Sequence, residues 1–184
     1  LFIATHYDLP QVLTILVESG ADINLEVGDG WTALHNLVGE SEAGCEILLK
    51  KGADPNCKTS DGKSSLHFAC DSYNPTAYKY IGILLRFGAD VNLKNSKGET
   101  PLHMLMGLNS VNCVSRLRGL ELLVDAGADL TTVDHKGNTL LHQTMIALKH
   151  CKGLVTRLCE LGVDPYKKNN NGGSSVASAH WVDE

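Results

Sequence analysis

The chain has 184 residues, 43% hydrophobic but only 5% aromatic, enough for one real and mostly aliphatic core. A net charge of −5 excludes the basic footprint of a nucleic-acid binder. No apolar run reaches membrane-spanning length and no signal peptide is legible.

Read in chain order, one phrase returns. "DGWTALH" starts at Asp29, "DGKSSLH" at Asp61, "KGETPLH" at Lys97 and "KGNTLLH" at Lys136, with a weaker "NGGSSVA" at Asn171. A second phrase interleaves: "GAD" at Gly20, Gly52, Gly88 and Gly127, then "GVD" at Gly162. Successive glycines are 32, 36, 39 and 35 residues apart. Thr32, Ser64, Thr100, Thr139 and Ser174 repeat the same four spacings. Two markers moving in step define a tandem repeat.

Each marker has a local job. The hydroxyl residues are placed to cap a helix by accepting from a free backbone N–H. Pro101 then falls at a first helical position, where its missing N–H costs nothing. The glycines of the second phrase follow apolar runs such as "LELLVDAG" and stop a second helix. Polar, glycine-containing stretches between the phrases read as turns. Each unit is therefore turn, short helix, loop, longer helix. Such helices are too short to stand alone, so their apolar faces must stack on neighbouring units.

This pattern resembles the ankyrin repeat, on the four T/S-x-L-H cores and the five G-A/V-D turns, over essentially the whole chain. The resemblance implies an all-α solenoid of helix-turn-helix units joined by β-turn fingers. About five units are predicted in one domain, 1–184: 1–28 (partial), 29–60, 61–96, 97–135, 136–170 and a partial cap, 171–184. Only Thr100 to His103 is the full family T-P-L-H. The later units exceed the family's length of about 33 residues. The small Ala-Ala pair of the family's inner helix is replaced by Leu37-Val38, Ala69-Cys70, Leu105-Met106 and Thr144-Met145, so irregular stacking is predicted. The opening Leu1-Phe2 aligns with the Leu-His of a first unit, and the chain is read as a fragment of a longer protein. Trp181 either covers the last edge or docks onto a further segment.

Four histidines, His35, His67, His103 and His142, recur in register. Equivalent residues in a stack lie roughly 8–10 Å apart, too far for one metal ion with bonds of about 2 Å. They read as structural, bonded to turn backbone, which is also their role in the family. His150-Cys151 with Cys159 is the one local His/Cys cluster, and Cys159 falls in an apolar helix as a core residue. No catalytic or phosphate-binding motif is present, and no cofactor or metal is predicted. With no C-x-x-C spacing, Cys45, Cys57, Cys70, Cys113, Cys151 and Cys159 read as free thiols in a reducing compartment. Cytoplasm or nucleus is the expected location.

The functional expectation is a non-enzymatic, monomeric scaffold that binds a protein or peptide on its concave face. In ankyrin proteins that face is formed by an inner-helix stripe and the turn tips. Here the stripe reads Ile3, His6 and Tyr7; Asn36 and Glu40; Phe68, Asp71 and Ser72; Met104 and Leu108; Gln143 and Ile146. The apolar members Phe68, Met104, Leu108 and Ile146 either form the centre of an interface or are buried by bulky neighbours. The tips contribute Trp31, Lys63, Glu99 and Asn138, and the long loop "DSYNPTAYKY" adds Tyr73. Residues 1–60 hold nine of the chain's acids and three of its bases, which suits a basic partner segment. The alternative is an architectural spacer or shielding module of a larger protein, one with a catalytic or ubiquitin-adaptor domain elsewhere. The resemblance also makes Asn24, Asn56 and Asn92 candidates for hydroxylation.

Overall fold

The computed structural model describes residues 1–5, 10–107, 112–147 and 151–175, with side chains described throughout these except at 145–147. His6, Tyr7, Leu108, His150 and Trp181 lie outside the described residues, as does the side chain of Ile146. Among the described residues ten helices form five hairpins. They are α1 (Phe2–Thr5) with α2 (Pro10–Glu18), α3 (Ala33–Leu37) with α4 (Glu42–Lys50), α5 (Ser65–Cys70) with α6 (Ala77–Arg86), α7 (Pro101–Gly107) with α8 (Cys113–Asp125), and α9 (Leu140–Ala147) with α10 (Lys152–Glu160). Inner helices stack on inner helices, and outer on outer. No strand is present among the described residues, only isolated bridges at Val27–Trp31 and Lys168–Ser174.

The core is one continuous strip. Leu34, Leu66, Leu102 and Leu141, the leucines of the recurring phrase, are all essentially inaccessible to solvent. Leu48, Leu84, Leu123 and Leu158 meet them from the outer helices. Each outer helix ends on its glycine. Gly88, at φ +85°, lets the Ala89 N–H return to the Leu84 carbonyl at 3.0 Å, a left-handed stop that a side chain would strain.

Two of the four bulky inner-helix pairs, those of Leu37 and Leu105, are accommodated by glycines on the outer helices. A Cβ on Gly44 of α4 would lie 3.0 Å from both Leu37 methyls, and one on Gly119 of α8 would lie 3.2 Å from Leu105. The space that the family keeps on the inner helix has moved across the hairpin.

Neighbouring units are joined by two backbone-directed seams. At the fingertips, the Ser60 N–H donates to the Asp29 carbonyl, Ser96 to Asp61, His135 to Lys97 and Asn170 to Lys136, at 2.8–3.0 Å. At the opposite corner an asparagine amide clamps the next unit. Asn56 Nδ2 donates to the Gly88 carbonyl (3.1 Å) while its Oδ1 accepts the Asp90 N–H (2.8 Å). Asn24 and Asn92 make the same pair of contacts to the units that follow them. Exposed ion pairs such as Lys51–Glu18, Lys79–Glu42 and Arg86–Glu46 also cross between outer helices, and each contributes little in water.

Arg116 is a buried cation with no carboxylate partner among the described residues. Its Nε and Nη2 donate to the Leu105 carbonyl, and Nη2 also to that of Met106, at 2.7–3.1 Å. It thus closes the C-terminus of α7, where the dipole favours positive charge. Arg116 lines a space of about 10 Å³ shared with Asn74 and Ser115, the size of one water molecule.

The cysteine reading is corrected at two points. Cys113 and Cys151 are not free thiols but form a disulfide, because each starts an outer helix and the stack brings their Cα atoms to 5.5 Å. Cys159 is exposed rather than core, because Leu158 takes the inward position of α10. Cys45, Cys57 and Cys70 are unbridged. Burial pushes the Cys45 thiol up to about 12, and that of Cys70 up as well.

The Gly44–Leu37 complementarity gives a sign-changing prediction. Gly44→Ala should destabilise the native chain by about 1 kcal/mol through overpacking, despite its better helix propensity. On a Leu37→Ala background the same change should be stabilising by up to about 1 kcal/mol, because the clash is gone. A double-mutant cycle in urea measures both arms, and equal effects in the two backgrounds would refute the coupling.

Candidate partner-binding face

The face is built on a histidine device. The Thr32 N–H donates to His35 Nδ1 at 3.1 Å and the Thr32 hydroxyl lies 2.9 Å from the same nitrogen. Ser64–His67, Thr100–His103 and Thr139–His142 repeat this geometry to within 0.1 Å. The hydroxyl thus works through the ring, in a reciprocal capping box, rather than through a helix N–H alone. Because Nδ1 accepts a backbone N–H, the ring proton resides on Nε2. His67 Nε2 donates it to the Glu99 carbonyl of the next finger at 3.1 Å, and His142 Nε2 to that of Gly173 at 2.9 Å. His35 reaches Cys57 instead (3.2 Å), whereas His103 Nε2 makes no hydrogen bond of ordinary geometry. Burial pulls His35, His67 and His103 below the usual imidazole range, His67 to about 4. These rings are structural, as the sequence implied.

Each finger is a five-residue turn closed by its own ends. Asn95 N–H donates to the Glu99 carbonyl, and the Val27–Trp31, Thr59–Lys63, Asp134–Asn138 and Asn169–Gly173 pairs match it. In the later fingers the first residue also locks the loop from inside. Asn95 Oδ1 accepts from the Lys97 and Glu99 N–H groups, and Asp134 Oδ1 from those of Lys136 and Asn138. The sequence reading missed Asn95 and Asp134. Their signal was present, since both stand four residues before a predicted tip residue. Trp31, Lys63, Glu99 and Asn138 are therefore equivalent positions on pre-set turns.

The predicted residues divide into three groups. Trp31, Lys63, Phe68 and Asp71 come together. The Trp31 and Phe68 rings lie 4.7 Å apart, although Trp31 is on the first finger and Phe68 on the inner helix of the next unit. His35 meets both rings edge-on. Lys63 Nζ stands 5.5 Å from the Phe68 centroid and 3.6 Å from Asp71. Partial burial raises the Asp71 carboxyl, with Lys63 opposing the shift. All four side chains remain partly open to solvent.

Glu99, Met104 and Asn138 form a second, polar group. Asn95 Nδ2 donates to Glu99 Oε2 at 2.9 Å and lies 3.9 Å from the Met104 sulfur. Asn138 and Gln143 both donate to Asp134 Oδ2. A cleft of about 420 Å³ opens there, lined by Lys97, Glu99, Asp134, Lys136, Asn138 and Gln143. Asn36, Glu40 and Tyr73 stand apart from both groups. Asn36 donates to Thr5 Oγ1 at 2.6 Å, Glu40 is exposed in the turn that follows α3, and Tyr73 is 68% exposed on its loop. Among the described residues no three His, Cys, Asp or Glu side chains converge on a point that could hold a metal. Nor is any helix among them long and apolar enough to cross a membrane.

A family model described as ankyrin repeats (3 copies) matches residues 1–95 and, again, 76–169. Comparison with curated proteins returns no match.

The histidine device predicts acid sensitivity. His67 titrates at about 4 when folded and at the ordinary 6.5 when unfolded. Between these values the unfolded chain holds the extra proton, so the stabilisation is complete above about pH 6.5 and is lost as pH falls towards 4. The gap corresponds to at most about 3 kcal/mol. Urea midpoints at pH 7 and pH 4.5 should fall less steeply in His67→Asn than in the native chain. Identical slopes would remove His67 as a contributor.

Proposed function

This chain belongs to the ankyrin-repeat family, whose members are generally protein-interaction modules, and from that premise we propose that its concave face grips a protein or peptide segment. The observation that carries the reading is the Trp31–Phe68 pair, two large rings left partly open where two units meet. Aromatic anchors flanked by charge are the usual centre of an interface. Lys63 and Asp71 supply that flank, and the Glu99–Asn138 cleft extends it with hydrogen-bonding groups. The turns that present these residues are already closed by backbone bonds, so little ordering remains to be done on binding. The module acts without catalysis, cofactor or nucleic acid, as a monomeric unit of the cytoplasm or nucleus. Four unbridged cysteines, one of them exposed, support an intracellular setting, and the Cys113–Cys151 disulfide weighs the other way.

Panning a displayed random-peptide library against the chain tests this. Enriched peptides should bind Phe68→Ala at least about tenfold more weakly, a loss of about 1.4 kcal/mol. An outer-helix change, Glu46→Gln, should leave binding unchanged. Circular dichroism should show both variants folded. Peptides that bind Phe68→Ala as well as the native chain would move the site elsewhere. The absence of any enrichment would favour the architectural role.

A further inference from the structure

The boundaries between units are not held alike. Asn24, Asn56 and Asn92 clamp the first three. At the fourth boundary that register position is Thr131, whose hydroxyl turns back on its own unit and donates to Asp129 Oδ1 at 2.7 Å. Among the described residues no side chain bonds the Gly162 carbonyl or the Asp164 N–H, the groups that a clamp would take. The same boundary carries the Cys113–Cys151 disulfide, which joins the starts of α8 and α10 across 38 residues of chain. No other boundary has a covalent link among the described residues. We propose that this disulfide is a redox lock on the last unit, replacing the missing asparagine clamp when oxidised and releasing α10 when reduced.

The chemistry is thiol–disulfide exchange with a low-molecular-weight thiol such as glutathione. Cys151 is buried and Cys113 only partly so, which directs attack to the Cys113 sulfur. The incoming thiolate bonds to Cys113 Sγ, the protein S–S bond breaks, and Cys151 leaves as a thiolate that takes up a proton. A second thiolate displaces Cys113 from the mixed disulfide, Cys113 is protonated, and one small-molecule disulfide is released. Two electrons pass from two small thiols to the bridge. A small-molecule disulfide reverses both steps.

What remains after reduction is enough for a loosened unit, not an unfolded chain. The fingertip bond from His135 to Lys97 and the exposed Arg157–Glu121 pair persist. Leu154 and Leu158 stay buried in the core strip unless the unit opens. In a stack whose units touch only neighbours, an end unit can open without disturbing the rest. The lock does not depend on the concave-face reading.

Hydrogen exchange followed by mass spectrometry on the full chain tests the lock, before and after glutathione, with intact mass confirming reduction. Exchange across α10 should become at least about tenfold faster on reduction, while α4 is unchanged. The double variant Cys113→Ser/Cys151→Ser should show the fast rate with or without glutathione. Thr131→Asn should slow the reduced chain back towards the oxidised rate. The proposal is overturned by unchanged α10 exchange after confirmed reduction, by equal acceleration in α4, or by a Thr131→Asn variant without effect.

Discussion

The molecule depends on one kind of side chain: a buried imidazole that caps its own helix and, at His67 and His142, also donates to the backbone of the next finger. Nδ1 accepts at home from the capping residue, which leaves Nε2–H for a carbonyl across the boundary. A single neutral imidazole therefore fixes a helix start and the neighbouring finger together. Neither lysine nor a carboxylate could do both, since one only donates and the other, ionised, only accepts. The requirement for neutrality is met by burial, which penalises the charged ring. Fingers fixed in this way carry the side chains that a partner would meet.

Much of the fold was legible because each marker residue answers a local rule. The hydroxyl caps, the terminating glycines and the inward leucines all follow from short-range geometry and helix period. What was not legible lies between helices. Nothing in the periodicity says that Gly44 makes room for Leu37, because that contact pairs the inner and outer helices of one hairpin. The sequence marked Asn24, Asn56 and Asn92 only through family resemblance, and the structure gives them a physical task as clamps. Cys113 and Cys151 were hidden for a similar reason. Pairing is a matter of distance across the stack, and spacing along the chain does not report it.

The candidate face was legible in part. The helix period identified Phe68, and the turn register identified Trp31 and Lys63, but their meeting is a property of the stack. Within its own unit Trp31 meets the His35 ring edge-on. The following unit supplies Phe68 against it. Asn36 went the other way, since the preceding helix claims its amide. A stripe read from one helix cannot tell which members the neighbours occupy.

The relocation of space from inner to outer helix has a further meaning for how such proteins diversify. Ankyrin units invite treatment as interchangeable bricks, to be shuffled by recombination or replaced by a consensus brick. Here Leu37 and Gly44 form a key and its slot inside one brick, while Gly119 takes Leu105 of its own brick and Ile81 of the one before. Transplanting a single inner helix with the small consensus pair would leave a void opposite each glycine, while a consensus outer helix would collide with the leucines. No single helix of such a pair is portable alone, so the smallest unit of inheritance at Leu37 and Gly44 is the whole hairpin, and at Gly119 it extends to the neighbour.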